Sequence, residues 1–235
     1  MMTSSWPKII LFGDSITQFS FGEGGWGAFI ADKLQRKCDV VNRGLSGYNT
    51  SLAKLALPRL LPKSQIPQVS VLTLFMGAND AALEELYPQQ YISVSSYVAN
   101  MKAMIDYLQE GGLEASKIVL ITPPPIYGEG WKKHCQTTYG VAQNRTNANT
   151  GLYAKACCTV AKDLGIEVLD IYTIMQQEPK WERYLLDGLH LSPDGNQFLG
   201  EQLWKMLEPK TRDLPMQLPD WKDVDPNNPE EALLK

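Results

Sequence analysis

Short runs of apolar residues alternate along this chain with longer segments in which apolar residues recur at helical spacing. Residues 9–12 and 69–75 have the length and the β-branched content of buried strands, and a glycine follows each run closely. Because consecutive parallel strands need a long crossover connection, usually a helix, this alternation favours a parallel sheet with helices on both faces. We therefore predict an α/β fold, a three-layer α/β/α sandwich around a mostly parallel five-stranded sheet.

The individual elements are predicted from the same two patterns. The predicted strands cover residues 9–12, 38–41, 69–75, 118–122 and 167–170. The predicted helices cover residues 26–34, 50–61, 97–108, 144–164 and 193–207. Residues 126–140 show no periodicity and are expected to form a long loop over one end of the sheet. From residue 208 onward the composition shifts to Pro, Asp and Asn, so we predict one domain over residues 1–207 and a tail over residues 208–235. We expect Leu218 and Trp221 to attach part of this tail to the domain.

Charge and composition exclude several classes of partner. A net charge of −4 without a run of Lys or Arg argues against nucleic acid and against an anionic membrane surface. No run of about 18 apolar residues is present to span a bilayer, and residues 1–7 lack the pattern of an export signal. The four scattered cysteines indicate reduced thiols in a cytoplasmic protein. The expected partner is a small molecule, and no leftover apolar stripe decides between a monomer and a homo-oligomer.

Two N-x-S/T triplets, which begin at Asn49 and Asn144, match the acceptor pattern for glycosylation. That modification requires export, and the sequence shows no export signal. We therefore interpret both triplets as chance matches.

Asp14 and Ser15 follow the first predicted strand, directly after Gly13. Ligands of open α/β sheets bind at the carboxyl ends of the strands, so a hydroxyl placed there is a candidate nucleophile. The alternative is that these three residues only form a turn and cap a helix. The nucleophile hypothesis therefore needs a base, an orienting group and an oxyanion site from elsewhere in the chain.

The chain has only two histidines, so an imidazole base must be His134 or His190. Asp187 stands three residues before His190, where a carboxylate can accept the Nδ1 proton and leave Nε2 facing a nucleophile. The alternative is a structural histidine whose aspartate caps the last helix, but Ser192 followed by Pro193 is the better cap. His134 lies beside two lysines in the expected loop, and we interpret it as a solvated surface residue.

Two further strand ends offer donors for the negative oxygen of an acyl-transfer intermediate. Gly44 closes Asn42-Arg43-Gly44 after the second strand, where a residue without Cβ lets its N–H approach a ligand. Asn79, in Gly77-Ala78-Asn79-Asp80 after the third strand, can present a side-chain amide. Each motif alone is typical of a turn. Together with Ser15 and His190, they form four polar elements expected at one edge of one sheet.

These four elements resemble the sequence blocks of the SGNH hydrolase superfamily, the GDSL-type lipases and esterases. The blocks appear in order as Gly13-Asp14-Ser15-Ile16, Asn42-Arg43-Gly44, Gly77-Ala78-Asn79-Asp80 and Asp187-Gly188-Leu189-His190. The resemblance covers residues 8–207, and Ile16 replaces the usual Leu at similar volume. The chain is most similar to the isoamyl acetate-hydrolysing esterase family, through G-D-S-I-T-Q, the Gly-Trp segment after it and G-A-N-D-A.

The resemblance implies a flavodoxin-like fold, with Ser15 as the nucleophile, His190 as the base and Asp187 as the partner of that base. It also implies an oxyanion hole formed by the N–H groups of Ser15 and Gly44 and the amide of Asn79. The implied reaction is hydrolysis of short acyl esters of simple alcohols through an acyl-enzyme. The alternatives are another ester class, such as a thioester, a lysolipid or an acetylated sugar, and a binding protein without catalytic activity.

Two motifs that could hold a cofactor or a metal fail on spacing. Gly22-x-Gly24-x-x-Gly27 begins ten residues beyond the first strand instead of at its end, which argues against a dinucleotide site. Asp223-x-Asp225-x-Asn227 lacks the glycine and the final glutamate of a calcium loop. We therefore predict no cofactor and no metal. The large loop residues that could line an acyl pocket are Phe19, Phe21, Trp26, Trp131 and the prolines at 123–125.

Overall fold

The computed structural model of the chain describes residues 6–234. The strands are β1 (Lys8–Gly13), β2 (Asp39–Gly44), β3 (Val69–Phe75), β4 (Ile118–Ile121) and β5 (Glu167–Leu169). The helices are α1 (Ser15–Gln18), α2 (Trp26–Lys33), α3 (Thr50–Leu60), α4 (Val94–Glu110), α5 (Gly128–His134), α6 (Asn147–Leu164), α7 (Ile171–Gln176), α8 (Pro193–Thr211) and α9 (Glu230–Leu233). None of the described helices is both long enough and apolar enough to cross a membrane.

All strand pairs in the sheet are parallel, and the strand order is β2-β1-β3-β4-β5. This confirms the predicted α/β fold, and the order is that of flavodoxin-like sheets. The chain steps from β1 to β2 on one side and returns to β3 on the other, so the connections diverge at β1 and β3. Such a switch point leaves a crevice at the carboxyl edge of the sheet. Ser15 follows β1 and Asn79 follows β3, which places both at this crevice.

Strand β1 contributes to two separate cores, because successive residues of a strand point to opposite faces of the sheet. Ile9 and Leu11 pack in a core with apolar residues of α2 and α8. Ile10 and Phe12 pack in a second core with residues of α3, α4 and α6. Both faces of the strand are therefore buried, which explains why its sequence is a continuous apolar run instead of an alternating one.

Residues 126–140 are mostly helical, so the prediction of a long loop is wrong. Helix α5 is followed directly by a π-helical segment over Cys135–Tyr139. Trp131 and Cys135, which stand at helical spacing, are both buried in the core under α2 and α8. Apart from Trp131, every residue of α5 is glycine or polar. The helix therefore has too few apolar residues to show a helical periodicity in the sequence.

The C-terminal residues contact the domain through backbone carbonyls and through the side chains of Gln217 and Asp220. Helix α8 runs to Thr211, past the predicted end at residue 207. Arg36 Nη2 donates hydrogen bonds to the carbonyls of Leu218, at 2.7 Å, and Pro219. The Trp221 side chain is 78% exposed, so it does not pin the segment as predicted. The division into a domain and a tail stays a prediction.

Candidate active site

Ser15 is positioned by the sharp end of β1. Asp14 precedes α1 and caps it, since its Oδ1 accepts a hydrogen bond from the Ile16 N–H at 3.0 Å. Ser15 is then the first residue of α1, where backbone N–H groups have no acceptor within the helix. The strand and the cap together fix the Ser15 hydroxyl and its N–H at the carboxyl edge of the sheet.

Ser15, His190 and Asp187 form a continuous hydrogen-bonded chain. Ser15 Oγ lies 3.0 Å from His190 Nε2, and His190 Nδ1 lies 2.7 Å from Asp187 Oδ2. The other oxygen of Asp187 accepts the N–H groups of Leu189 at 2.9 Å and of His190 at 2.8 Å. The structure thus brings the three residues together in the arrangement that the sequence predicts, with the carboxylate folded back within one turn.

Hydrogen bonding keeps Asp187 ionised. Burial alone would raise the pKa of this carboxyl, but the hydrogen bond and charge of His190 and the two backbone N–H groups lower the pKa to about 2. Asp187 is available for this role because Ser192 caps α8, accepting the Gly195 N–H at 3.2 Å, with Pro193 as the first helical residue. This confirms the predicted cap.

Asn79 reaches the same crevice from the loop after β3. Its Nδ2 donates to the Tyr48 carbonyl at 2.9 Å, and its Oδ1 accepts from Arg145 Nη2 at 3.1 Å. An amide nitrogen carries two hydrogens, so one remains for a ligand. Asn79 lines the same cavity as Ser15 and His190.

Gly44 does not supply the donor that the sequence predicts. Its N–H already donates to Asn42 Oδ1 at 2.8 Å, and Gly44 is not among the residues that line the cavity. In the structure, the Gly44 N–H is therefore not open to a ligand in the cavity. Glycine is required at position 44 for a packing reason, because a Cβ there would lie 1.9 Å from the backbone nitrogen of Gln18.

Gly47 lies where Gly44 was expected. It lines the cavity together with Ser15 and Asn79, and its φ of +79° is in the region that favours glycine. None of the hydrogen bonds formed by the described part of the chain uses the Gly47 N–H. The sequence also contains this signal, as a second glycine shortly after the strand, in Gly44-Leu45-Ser46-Gly47.

The cavity beside Ser15 has a volume of about 230 Å³. Its other lining residues are Ser46, Tyr87, Gln90, Trp131, Tyr139, Val141, Asn144, Arg145 and Leu189. A smaller cleft of about 40 Å³ also opens on Ser15 and His190 and is lined by Phe19. Of the predicted pocket aromatics, Trp131 and Phe19 are thus at the site, whereas Trp26 is buried in the core and donates from Nε1 to the Ile16 carbonyl.

Asn144 and Arg145 are site residues that sequence reasoning missed. Both are buried, with Asn144 4% exposed and Arg145 3% exposed. They precede the Thr146 cap of α6, whereas the sequence predicted that the helix begins at residue 144. Asn49 is also 4% exposed and caps α3, so neither N-x-S/T triplet presents its asparagine at the surface.

His134 is not the solvated surface residue that the sequence predicts. Its ring stacks on Trp131 at a centroid distance of 5.3 Å, and its Nε2 lies 3.8 Å from Asp187 Oδ2. That distance is too long for a hydrogen bond. Trp131 and His134 stand three residues apart on α5, so the helical conformation brings their side chains to the same side of the helix. Among residues 6–234, no group of three or more His, Cys, Asp or Glu side chains is arranged to hold a metal.

The buried carboxyl of Asp14 makes stability depend on pH. Burial raises the pKa of Asp14 from 3.8 to about 7, although the Ile16 N–H lowers it. The unfolded chain releases this proton at lower pH than the folded protein, so ionisation lowers the free energy of unfolding as pH rises from about 4 to about 7. The variant Asp14→Asn keeps a capping oxygen but cannot ionise. We expect the variant to have a higher Tm than the wild type, and this Tm difference to be several degrees larger at pH 8 than at pH 5. The conversion used is about 2–4 °C of Tm per kcal/mol of unfolding free energy.

Thermal unfolding at the two pH values measures this difference. Asp194→Asn serves as the control, because Asp194 is an exposed residue in the first turn of α8. An equal Tm difference between Asp14→Asn and the wild type at pH 5 and pH 8 would contradict the expectation.

The sequence of this chain is similar to that of a known protein family and to those of individual known proteins. The model of the GDSL-like Lipase/Acylhydrolase family matches residues 11–198. The human protein named isoamyl acetate-hydrolyzing esterase 1 homolog is 50% identical over 230 residues, which cover 97% of this chain and 92% of the human protein. An Arabidopsis thaliana protein named GDSL esterase/lipase is 42% identical, over 94% of this chain and 95% of the plant protein.

Solved structures show the same fold. A lipase/acylhydrolase from Enterococcus faecalis superposes with a TM-score of 0.69 at 25% identity, covering 91% of this chain and 100% of that one. The acetyl xylan esterase AlAXEase superposes with a TM-score of 0.65 at 23% identity, covering 84% of this chain and 98% of that one. At 23% identity, the second similarity shows the fold alone.

Proposed function

This chain belongs to the GDSL-like lipase/acylhydrolase family and is a carboxylic ester hydrolase, and we propose that it cleaves short-chain esters through an acyl-enzyme on Ser15. One observation carries the proposal. Ser15 Oγ lies 3.0 Å from His190 Nε2, and the opposite ring nitrogen lies 2.7 Å from Asp187 Oδ2. A hydroxyl bonded to an oriented imidazole is the arrangement that activates a serine nucleophile.

The proposed reaction has two steps. Ser15 Oγ forms a bond to the ester carbonyl carbon while its proton passes to His190 Nε2, and Asp187 stabilises the resulting imidazolium. The bond to the alcohol oxygen then breaks, and His190 returns the proton to the leaving alcohol. A water molecule next loses a proton to His190 and attacks the acyl-enzyme, which releases the acid and restores Ser15.

The tetrahedral intermediates of both steps carry a negative oxygen. We propose three donors for it: the Ser15 N–H, the free amide hydrogen of Asn79 and the Gly47 N–H, which takes the place first assigned to Gly44. All three residues line one cavity. Removing one such donor typically costs about 2.7–4 kcal/mol of transition-state stabilisation.

The proposed substrates are acetate-type esters of simple alcohols. The cavity of about 230 Å³ is smaller than the roughly 300–1,000 Å³ of sites that enclose drug-sized ligands. The name of the human relative, which refers to isoamyl acetate, supports the same substrate class. We also propose a cytoplasmic location, supported by the free thiols of Cys38, Cys135, Cys157 and Cys158.

A panel of substrates tests this proposal. Because a pocket discriminates by at least about tenfold once acyl methylenes no longer fit, kcat/KM for p-nitrophenyl acetate should exceed that for p-nitrophenyl decanoate by at least that factor. The panel includes an acyl thioester, a lysophospholipid and an acetylated sugar. Preference for the decanoate, or higher kcat/KM for one of the other three classes, would contradict the short-ester assignment.

A further inference from the structure

Arg145 carries a buried positive charge beside Ser15. The residue is 3% exposed and lines the cavity, and its guanidinium lies 5.4 Å from the ring centroid of Trp131 and 5.8 Å from that of Tyr87. The ion pairs of residues 6–234 do not include Arg145. Burying a cation without a bonded carboxylate costs stability. A buried charge with that cost requires an explanation.

The hydrogen-bond partners of Arg145 are all neutral oxygens. Nε donates to the Ala78 carbonyl at 2.9 Å, and Nη1 donates to Asn144 Oδ1 at 2.9 Å. Nη2 donates to Asn79 Oδ1 at 3.1 Å and also to Gln90 Oε1. Neutral partners satisfy the donors without cancelling the charge. The positive field of the guanidinium therefore acts on the adjacent site.

The contact with Asn79 fixes the direction of its amide. A guanidinium only donates hydrogen bonds, so the amide group facing it must be the oxygen. The Asn79 nitrogen then points away from Arg145, toward the Tyr48 carbonyl and the cavity. Donation from a cation to Oδ1 also polarises the amide and strengthens its N–H as a donor.

The contact with Gln90 extends to the second proposed donor. Gln90 Oε1 faces Arg145 for the same reason, which leaves Gln90 Nε2 to donate to the Gly47 carbonyl at 2.8 Å. Gly47 is held by this contact in a conformation with φ of +79°. One Nη2 group therefore supports Asn79 directly and Gly47 through Gln90.

We propose that Arg145 is the positioning residue of the oxyanion site: it orients and polarises Asn79 directly and Gly47 through Gln90. The inference rests on the proposed function, because it concerns the oxygen that becomes negative in that reaction. Arg145 acts through its neighbours and does not take part in proton transfer. Since its charge is already in place before the reaction, it stabilises the intermediate without reorganisation.

Substitution of Arg145 should lower kcat more than it raises KM. With p-nitrophenyl acetate, a neutral substrate, we expect Arg145→Met to lose about 10²-fold in kcat, the size of losing one oxyanion donor, with KM changed by less than about threefold. Gln90→Met removes the connection from Arg145 to Gly47 and keeps both the cation and its contact with Asn79, so its loss in kcat should be smaller, about tenfold. Arg145→Lys, which keeps the charge without the paired contacts, should recover part of the activity. Arg59→Met, at an exposed arginine of α3, is the control.

The energetic coupling between Asn79 and Arg145, measured from kcat of the single and double variants, gives a sharper test. Because Arg145 acts through both Asn79 and Gln90, the double variant Asn79→Ala with Arg145→Met should lose only about a further tenfold in kcat beyond Asn79→Ala, which is the part carried through Gln90. Fully multiplicative losses would overturn the inference. An unchanged kcat in a folded Arg145→Met variant, or a rise in KM alone, would also overturn it, the latter in favour of a subsite for substrate binding.

The remaining outcomes are also informative. If Arg145→Met does not fold, Gln90→Met and Arg145→Lys replace it, and unchanged kcat in both would overturn the inference. Ser15→Ala separates this inference from the function beneath it. An active Ser15→Ala variant means that the proposed function has failed, whereas an inactive one beside a fully active Arg145→Met variant means that only the role of Arg145 has failed.

Discussion

Ser15→Ala is expected to lower kcat for p-nitrophenyl acetate by at least about 10⁴-fold, the range seen when a serine nucleophile is removed. The hydroxyl of Ser15 forms the hydrogen bond to His190, so the variant loses the nucleophile and keeps the backbone N–H proposed for the oxyanion site. Its Tm should stay close to that of the wild type. Initial rates and thermal unfolding of the purified variant measure both quantities.

Thr17→Val is the matched control for Ser15→Ala. Thr17 belongs to the same short helix, and its buried hydroxyl has no hydrogen-bond partner among the described residues. Removal of the Thr17 hydroxyl therefore breaks no hydrogen bond. We expect the kcat of Thr17→Val to stay within about threefold of the wild-type value, because substitutions that break no buried contact usually have small effects. Full turnover by a folded Ser15→Ala variant would disprove the nucleophile assignment.

Asp187→Asn is expected to lower kcat by about 10⁴-fold, because it forces the wrong tautomer on His190. The backbone N–H groups of Leu189 and His190 donate to one oxygen of residue 187. Asparagine keeps its oxygen at that position and turns its NH₂ group toward His190 Nδ1. The ring must then carry its proton on Nε2, where it cannot accept the proton of Ser15.

His190→Ala removes the base entirely and should be at least as inactive as Asp187→Asn. The two losses should not multiply in the double variant, because residues that act as a unit are not additive. Asp194→Asn removes a nearby exposed charge and should leave kcat unchanged. Asp187→Asn activity within tenfold of the wild type would contradict the orienting role.

The central strands were predictable because they are buried on both faces. Residues 69–75 form β3 as predicted, and β1 extends the predicted run of 9–12 by one residue at each end. A strand covered by helices on both sides must be apolar throughout, so its pattern is short and unambiguous. Ser15, Asp187 and His190 were identified for a related reason, since each stands in a short local motif.

The proposed oxyanion site was only partly predictable. The sequence presents Gly44 at the end of β2 and Gly47 shortly after it, and propensity alone gives no reason to prefer the second. Strand β2 runs on to Gly44, and the Asn42 side chain occupies the Gly44 N–H. Whether the Gly44 N–H is free for a ligand depends on the conformation of the Asn42 side chain, which the spacing of residues in the sequence does not determine.

Arg145 and His134 were missed because their positions depend on tertiary structure. Arg145 reaches Asn79 and Gln90, which are more than 50 residues away in the chain. His134 reaches Asp187 only because α5 is a helix. A buried arginine without a carboxylate partner is uncommon, so composition and periodicity both favour a surface position for such a residue.

Reaction of the wild-type protein with a fluorophosphonate probe tests the assignment of the nucleophile most directly. The probe bonds covalently to an activated serine hydroxyl, and mass spectrometry of the digested protein locates the adduct. We predict one adduct per chain, on Ser15, formed in parallel with loss of esterase activity and strongly slowed in His190→Ala. An adduct on another residue, or full inactivation without modification of Ser15, would contradict the assignment.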